Sequence, residues 1–216
     1  DNIEANNTLS ILLIRQGRAL EAMPHMALLA SKGEPVNFPA LLSGFQELAP
    51  EQRDALVKGI DQLAADHPDN AQVLLTQAMV MAEAEDFDAA LVTLQRVFEL
   101  EPDQSQAALL EARILLAQQA PEPFARLQRL LEENPQDKQI RLQYARLLTA
   151  TDMAAAREQF ELLSAQSPRD GELLLSLALI SRETGDDEAA KTFLRQLLAL
   201  GQHVDEAHYY LGRIAE

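Results

Sequence analysis

The sequence predicts an all-α fold, a stack of antiparallel helix hairpins. Three observations carry this. First, the composition is 47% hydrophobic but only 5% aromatic, and Ala, Leu, Glu, Gln and Arg dominate it. Such side chains lose little rotamer freedom on a helix. Second, Pro35, Pro68, Pro102, Pro135 and Pro168 are spaced 33, 34, 33 and 33 apart. Proline cannot continue a helix, and an Asp or amide residue after it can cap the next one. Third, small residues recur beside large ones at helical spacing, as interdigitating helices require.

The elements follow in order. The prolines frame units at 1–36, 37–70, 71–104, 105–137, 138–170 and 171–204, and a first helix alone at 205–216. The first unit turns at Arg15-Gln16-Gly17-Arg18 and sets Ser10 opposite Ala22. The second has a short first helix, Phe38–Leu48, with Ala49-Pro50-Glu51 in its turn. The third reads most clearly, with helical patterns at Ala71–Glu83 and Asp88–Leu100 and a turn at Glu85-Asp86-Phe87. Ala78 faces Ala90 there, among Leu74, Met81, Leu94, Val97 and Phe98. The fourth unit is one residue shorter and turns through Pro121 and Pro123, and the fifth turns at Thr151-Asp152. The sixth turns at Thr184-Gly185-Asp186-Asp187, where glycine supplies a left-handed backbone. It sets Ala178 opposite Ala190, among Leu174, Leu177, Leu194 and Leu197.

Charge narrows the function. A net charge of −16 repels phosphate and disfavours nucleic acid and anionic lipid as partners. It reads as solubility or as a preference for basic partners. The absence of cysteine excludes disulfides, thiolate catalysis and Cys-based metal sites. No run approaches the roughly 20 apolar residues of a membrane span, and no signal-peptide pattern opens the chain. Tyr209–Glu216 stops in mid-helix, which implies a piece of a longer protein with any targeting segment outside it. His25, His67, His203 and His208 show no i,i+4 metal pair, and no H-E-x-x-H, nucleophile-elbow, Walker or dinucleotide pattern occurs. No catalytic residue, cofactor or metal is expected. Met23, Met26, Met79 and Met81 read as core filling, with adaptable partner contact as the alternative.

Unit length, small and large positions, closing prolines and the segment His208-Tyr209-Tyr210-Leu211-Gly212 together resemble the tetratricopeptide repeat family. The resemblance spans essentially the whole chain as a single array. Gln77 and Glu111 depart from it, standing where the family prefers Leu. It implies a right-handed superhelical α-solenoid whose first helices line a concave face. Positions five and nine of each first helix point inward in that family. Here they are Leu75 and Met79, Leu109 and Arg113, Leu142 and Arg146, Leu175 and Leu179, and Tyr209 and Arg213, with Asn7 and Ile11 in the first unit. Apolar residues beside a row of arginines suit a bound peptide or helix. The alternative is that the leucines pack on adjacent helices and the arginines pair with neighbouring Glu. The Lys and Asn set that clamps a partner's terminal carboxylate is absent.

The resemblance implies a non-catalytic scaffold or adaptor for a protein or peptide partner. The runs Leu13–Ala22, His67–Asn70 and Asp205–Arg213 are similar to the middle of long bacterial envelope tetratricopeptide lipoproteins. One branch of that group tethers and activates a periplasmic carboxyl-terminal processing protease. That branch would place the chain in the periplasm, tied to the outer membrane by a lipid anchor outside these residues. A cytoplasmic assembly or regulatory module binding a peptide is the alternative.

Overall fold

The computed structural model describes residues 2–16, 18–32, 45 and 48–215. Within them lie twelve α-helices and no strand. The expected turn glycine Gly17, the first proline Pro35 and most of the expected helix Phe38–Leu48 lie outside the described residues. The helices form two compact units, Asp1–Pro123 and Phe124–Glu216.

The first unit holds α1 (Ile3–Arg15), α2 (Ala19–Ser31), α3 (Pro50–Asp66), α4 (Ala71–Glu83), α5 (Phe87–Leu100) and α6 (Ser105–Ala117). The pairs α1/α2 and α4/α5 are the principal hairpins, and α3 packs on both α2 and α4, as α6 does on α5. Met26, Leu29, Leu56 and Ile60 are fully buried in one cluster, with Phe45 beside them and Met23 packed against it. Both methionines of α2 therefore fill the core. Gly59 of α3 lets the helices approach, because a Cβ there would lie 3.3 Å from Cε of Met23. Pro50 does not sit in a turn. It is the first residue of α3, where a missing N–H costs nothing, and Gln52 Oε1 accepts from the N–H of Ala49 at 3.1 Å.

The second unit holds α7 (Ala125–Glu133), α8 (Lys138–Leu148), α9 (Met153–Gln166), α10 (Gly171–Glu183), α11 (Asp187–Leu200) and α12 (Val204–Ala215). The hairpins are α8/α9 and α10/α11, with α9 also on α10 and α12 on α11. Leu174, Ala178, Leu194, Leu197 and Ala207 form its buried cluster. Each large aliphatic side chain so placed contributes roughly 1.5–3 kcal/mol relative to exposure. Phe124 meets Tyr144 edge to face at 5.3 Å, and Gln128 donates to the Tyr144 hydroxyl at 2.9 Å.

The proline junctions are built alike. Pro68, Pro102, Pro135 and Pro168 each follow the last residue of a junction's helix cap and sit in a turn. Two residues on, Asn70, Gln104, Asp137 and Asp170 cap the next helix with their side chains. Their own N–H groups donate back to His67, Glu101, Asn134 and Ser167, at 3.1–3.2 Å.

The turns that follow α4, α6 and α10 share a second pattern. Glu85, Gln119 and Gly185 all adopt left-handed backbone, with φ of 62, 54 and 78°. Each precedes a backbone bond closing six residues: Asp86 to Met81, Ala120 to Leu115 and Asp186 to Ser181. Glycine was expected for this geometry, and two of the three turns achieve it with Glu and Gln. The small residues read as crossing positions, Ser10, Ala22, Ala78, Ala90, Ala178 and Ala190, are all buried.

Candidate partner-binding face

Residues at positions five and nine of one helix are neighbours on one face, being four apart. Their placement differs along the chain. In α1, Asn7 and Ile11 are half-buried. In α4, Leu75 is only 2% exposed. It belongs to the core and offers no surface to a partner, because α4 is enclosed by α3, α5 and α6. Met79 on the same helix is half-buried. In α6, Leu109 is half-buried and Arg113 exposed.

The second unit repeats the leucine and arginine pairing. On α8, Leu142 is half-buried and Arg146 exposed, and on α10 both Leu175 and Leu179 are half-buried. Leu175 packs partly against the buried cluster of this unit. On α12, Tyr209 is 61% exposed and Arg213 is exposed. Arg113 and Arg146 have no ion-pair partner among the described residues. In this acidic chain they are two cations open to a ligand.

Three residues not singled out in the sequence complete the local surface. Arg182, Tyr210 and Ile214 join Ala178, Leu179 and Leu194 around a narrow recess between α10, α11 and α12, with no room for a water molecule. The Arg182 guanidinium lies 4.8 Å over the Tyr210 ring and donates to Glu183 Oε1 at 2.6 Å. That hydrogen bond holds the Arg182 pKa above its ordinary value. Tyr209 meets Tyr210 edge to face at 5.1 Å. Arg182 is three residues past Leu179, on the same face, so the helical spacing carried the signal for it.

Polar departures from the repeat pattern have local partners. Gln77 donates to Asp61 Oδ1 of α3 at 2.8 Å, which accounts for an amide where Leu is expected. Arg141 is buried, donating to Gln159 Oε1 at 2.6 Å and to the Pro135 carbonyl at 2.8 Å. Nδ1 of His25 pairs with Asn6 Oδ1 at 2.7 Å. His203 lies 3.3 Å from Glu172 and 3.6 Å from Glu206. Among the described residues no three His, Asp or Glu side chains are grouped to hold a metal ion. No helix among them is long and apolar enough to cross a membrane.

No family model matches the chain. A TPR repeat-containing protein, PA4667 of Pseudomonas aeruginosa, is 32% identical over 95 residues. That match spans 44% of this chain but only 16% of the relative's length. Among solved structures, YrrB is described as a TPR protein with an unusual peptide-binding site. It is 16% identical, aligned over 89% of this chain and 99% of its own, with a TM-score of 0.53. MamA of Desulfovibrio magneticus is 14% identical over 69% and 85% of the two chains, with a TM-score of 0.54. Repeat length, hairpin geometry, the curated relative and the solved structures agree that the chain is built on the tetratricopeptide-repeat fold.

Proposed function

We propose that this chain is a non-catalytic scaffold that binds a partner protein or peptide along its first helices. The observation that carries this reading is the repeated pairing of a half-buried leucine with an exposed, unpaired arginine, at Leu109 and Arg113 and again at Leu142 and Arg146. A half-buried leucine gains from being covered by a ligand, and an unpaired guanidinium adds a directional contact. The peptide-binding site named for YrrB supports the same use of the fold.

More specifically, the partner is a periplasmic carboxyl-terminal processing protease, which the chain tethers or activates in a lipid-anchored parent protein at the outer membrane. The match to the Pseudomonas relative supports a bacterial setting for such a repeat protein. The test is affinity capture from the native host with wild-type protein and with Leu109→Glu plus Leu142→Glu. The double variant should keep its helical circular dichroism and lose its partners. Equal recovery by the folded variant would reject the binding face. Capture of partners that include no protease would reject the specific assignment and leave the scaffold intact.

A further inference from the structure

One place in the repeat holds a leucine in two hairpins and an arginine in a third. Align the first helices by their buried alanine, Ala78 in α4, Ala145 in α8 and Ala178 in α10. Four residues earlier stand Leu74, Arg141 and Leu174, all buried. Arg141 thus puts a guanidinium where α4 and α10 pack a leucine. Its Nη1 and Nη2 donate to Gln159 Oε1 and to the Pro135 carbonyl, and both acceptors are neutral. Its Nε is buried without a partner. A buried cation is costly unless an anion pairs with it, and no carboxylate among the described residues does so.

The rest of α8 has the same sign. The helix carries Lys138, Arg141 and Arg146 and no acidic residue. It is alone in this among the described helices, in a chain of net charge −16. Elsewhere Arg18, Arg96, Arg129, Arg157, Arg182 and Lys191 each meet a carboxylate. Lys138 and Arg146 do not, and both are exposed. Lys138 donates to Ser167 Oγ at 3.0 Å. It is the first residue of α8, where the helix dipole disfavours a cation. The Asp137 carboxylate before it accepts the N–H of Ile140 at 2.9 Å. Lys138, Leu142 and Arg146 follow at intervals of four and share one face. The half-buried Leu142 stands between two open charges.

We propose that this face of α8 binds an acidic peptide segment, and that Arg141 strengthens that preference from the interior without touching the ligand. Carboxylates of the segment meet Lys138 and Arg146, and an apolar side chain covers Leu142. Salt screens a buried charge far less than an exposed one, so the field of Arg141 persists where those of the surface cations fade. A nucleic acid would bring a run of phosphates against the acidic remainder of the chain. The inference deepens the reading of the first helices as a binding face and rests on it at α8.

The test is fluorescence anisotropy of a labelled hexaglutamate peptide at low salt. The wild-type chain should bind it, and Lys138→Gln plus Arg146→Gln should weaken binding at least about tenfold. Lys191→Gln plus Arg195→Gln, on α11 and equal in charge lost, should bind as wild type does. Arg141→Leu installs the residue that α4 and α10 use. It should stay folded by circular dichroism and weaken binding about threefold. No binding by wild type, or equal losses in the two double variants, overturns the proposal. An Arg141→Leu chain that loses stability but binds normally makes Arg141 a packing residue and overturns its role. Tighter binding of a single-stranded oligonucleotide of equal charge overturns the assignment to a peptide. If the leucine variant still loses its native partners while hexaglutamate fails to bind, the scaffold stands and the acidic partner falls.

Discussion

Arg157 on α9 donates from Nη1 to Oδ2 of Asp186 at 3.0 Å, while Oδ1 of that carboxylate accepts the N–H of Ala189 and caps α11. One aspartate thus starts a helix and fastens the preceding hairpin to it. Arg157 also donates to Glu161 at 2.8 Å. These contacts with Glu161 and then Asp186 raise its pKa.

Asp186→Ala should therefore lower the melting temperature more than Asp152→Ala. Asp152 caps α9 through Ala155 at 2.9 Å and has no arginine partner among the described residues. In a double-mutant cycle, Arg157→Ala should cost little once Asp186 is gone. Equal losses for the two aspartates would show that the arginine contact adds nothing measurable.

The same site predicts a pH dependence. The Ala189 N–H, and then Arg157, hold the Asp186 carboxyl below its ordinary pKa. A depressed folded-state pKa contributes stability in full above the unfolded value, about 3.9, and loses it as pH falls through the folded value. The gap between wild type and Asp186→Asn in urea unfolding should thus be open at pH 7 and shrink below about pH 4.

The left-handed turns make opposite predictions for residues at one structural position. Glu85→Gly and Gln119→Gly relieve a backbone that L residues adopt at a cost of roughly 1–2 kcal/mol. Each should raise stability by up to about 1 kcal/mol, part of the gain being offset by the greater freedom of the unfolded glycine. Gly185→Ala, at φ 78°, should destabilise by about 1 kcal/mol. Denaturant midpoints of the three variants decide the matter.

Small residues at the helix crossings should be intolerant of size. Ala78→Leu and Ala178→Leu insert bulk where the native side chains are essentially without exposed surface, at a cost of about 1–3 kcal/mol or more. Hydrogen exchange should quicken mainly in the unit that carries the substitution. Uniform loosening of all twelve helices would contradict a repeat in which each hairpin leans on its neighbours.

The hairpin architecture was legible because its signals are local. A proline has no N–H to give to a helix, so its recurrence marked four junctions that the structure builds with one hydrogen-bond pattern. The ends of α4 and α10 followed from caps and turns within a few residues of each. Leu75 was not legible in the same way. Its helix position matched Leu175, yet α4 is enclosed by three helices and buries it, while Leu175 remains half-buried. Enclosure depends on neighbours distant in sequence. Tyr210 was missed for that reason too, since its stacking under Arg182 joins α10 to α12. Pro50 misled because proline both ends helices and suits their first position.

The helix caps also change how the acidity of this protein should be handled. Asp86, Asp137, Asp152, Asp170 and Asp186 each accept a backbone N–H at a helix start, where a negative charge also complements the helix dipole. These five carboxylates have a folding task, whereas Glu133 and Glu99 sit in exposed ion pairs of little energetic weight. A programme that recharges the surface, for crystallisation or for immobilisation on an anionic support, has free choice among the second kind. Lysine at the first kind would remove a helix cap, at a cost of about 0.5–2 kcal/mol at each position.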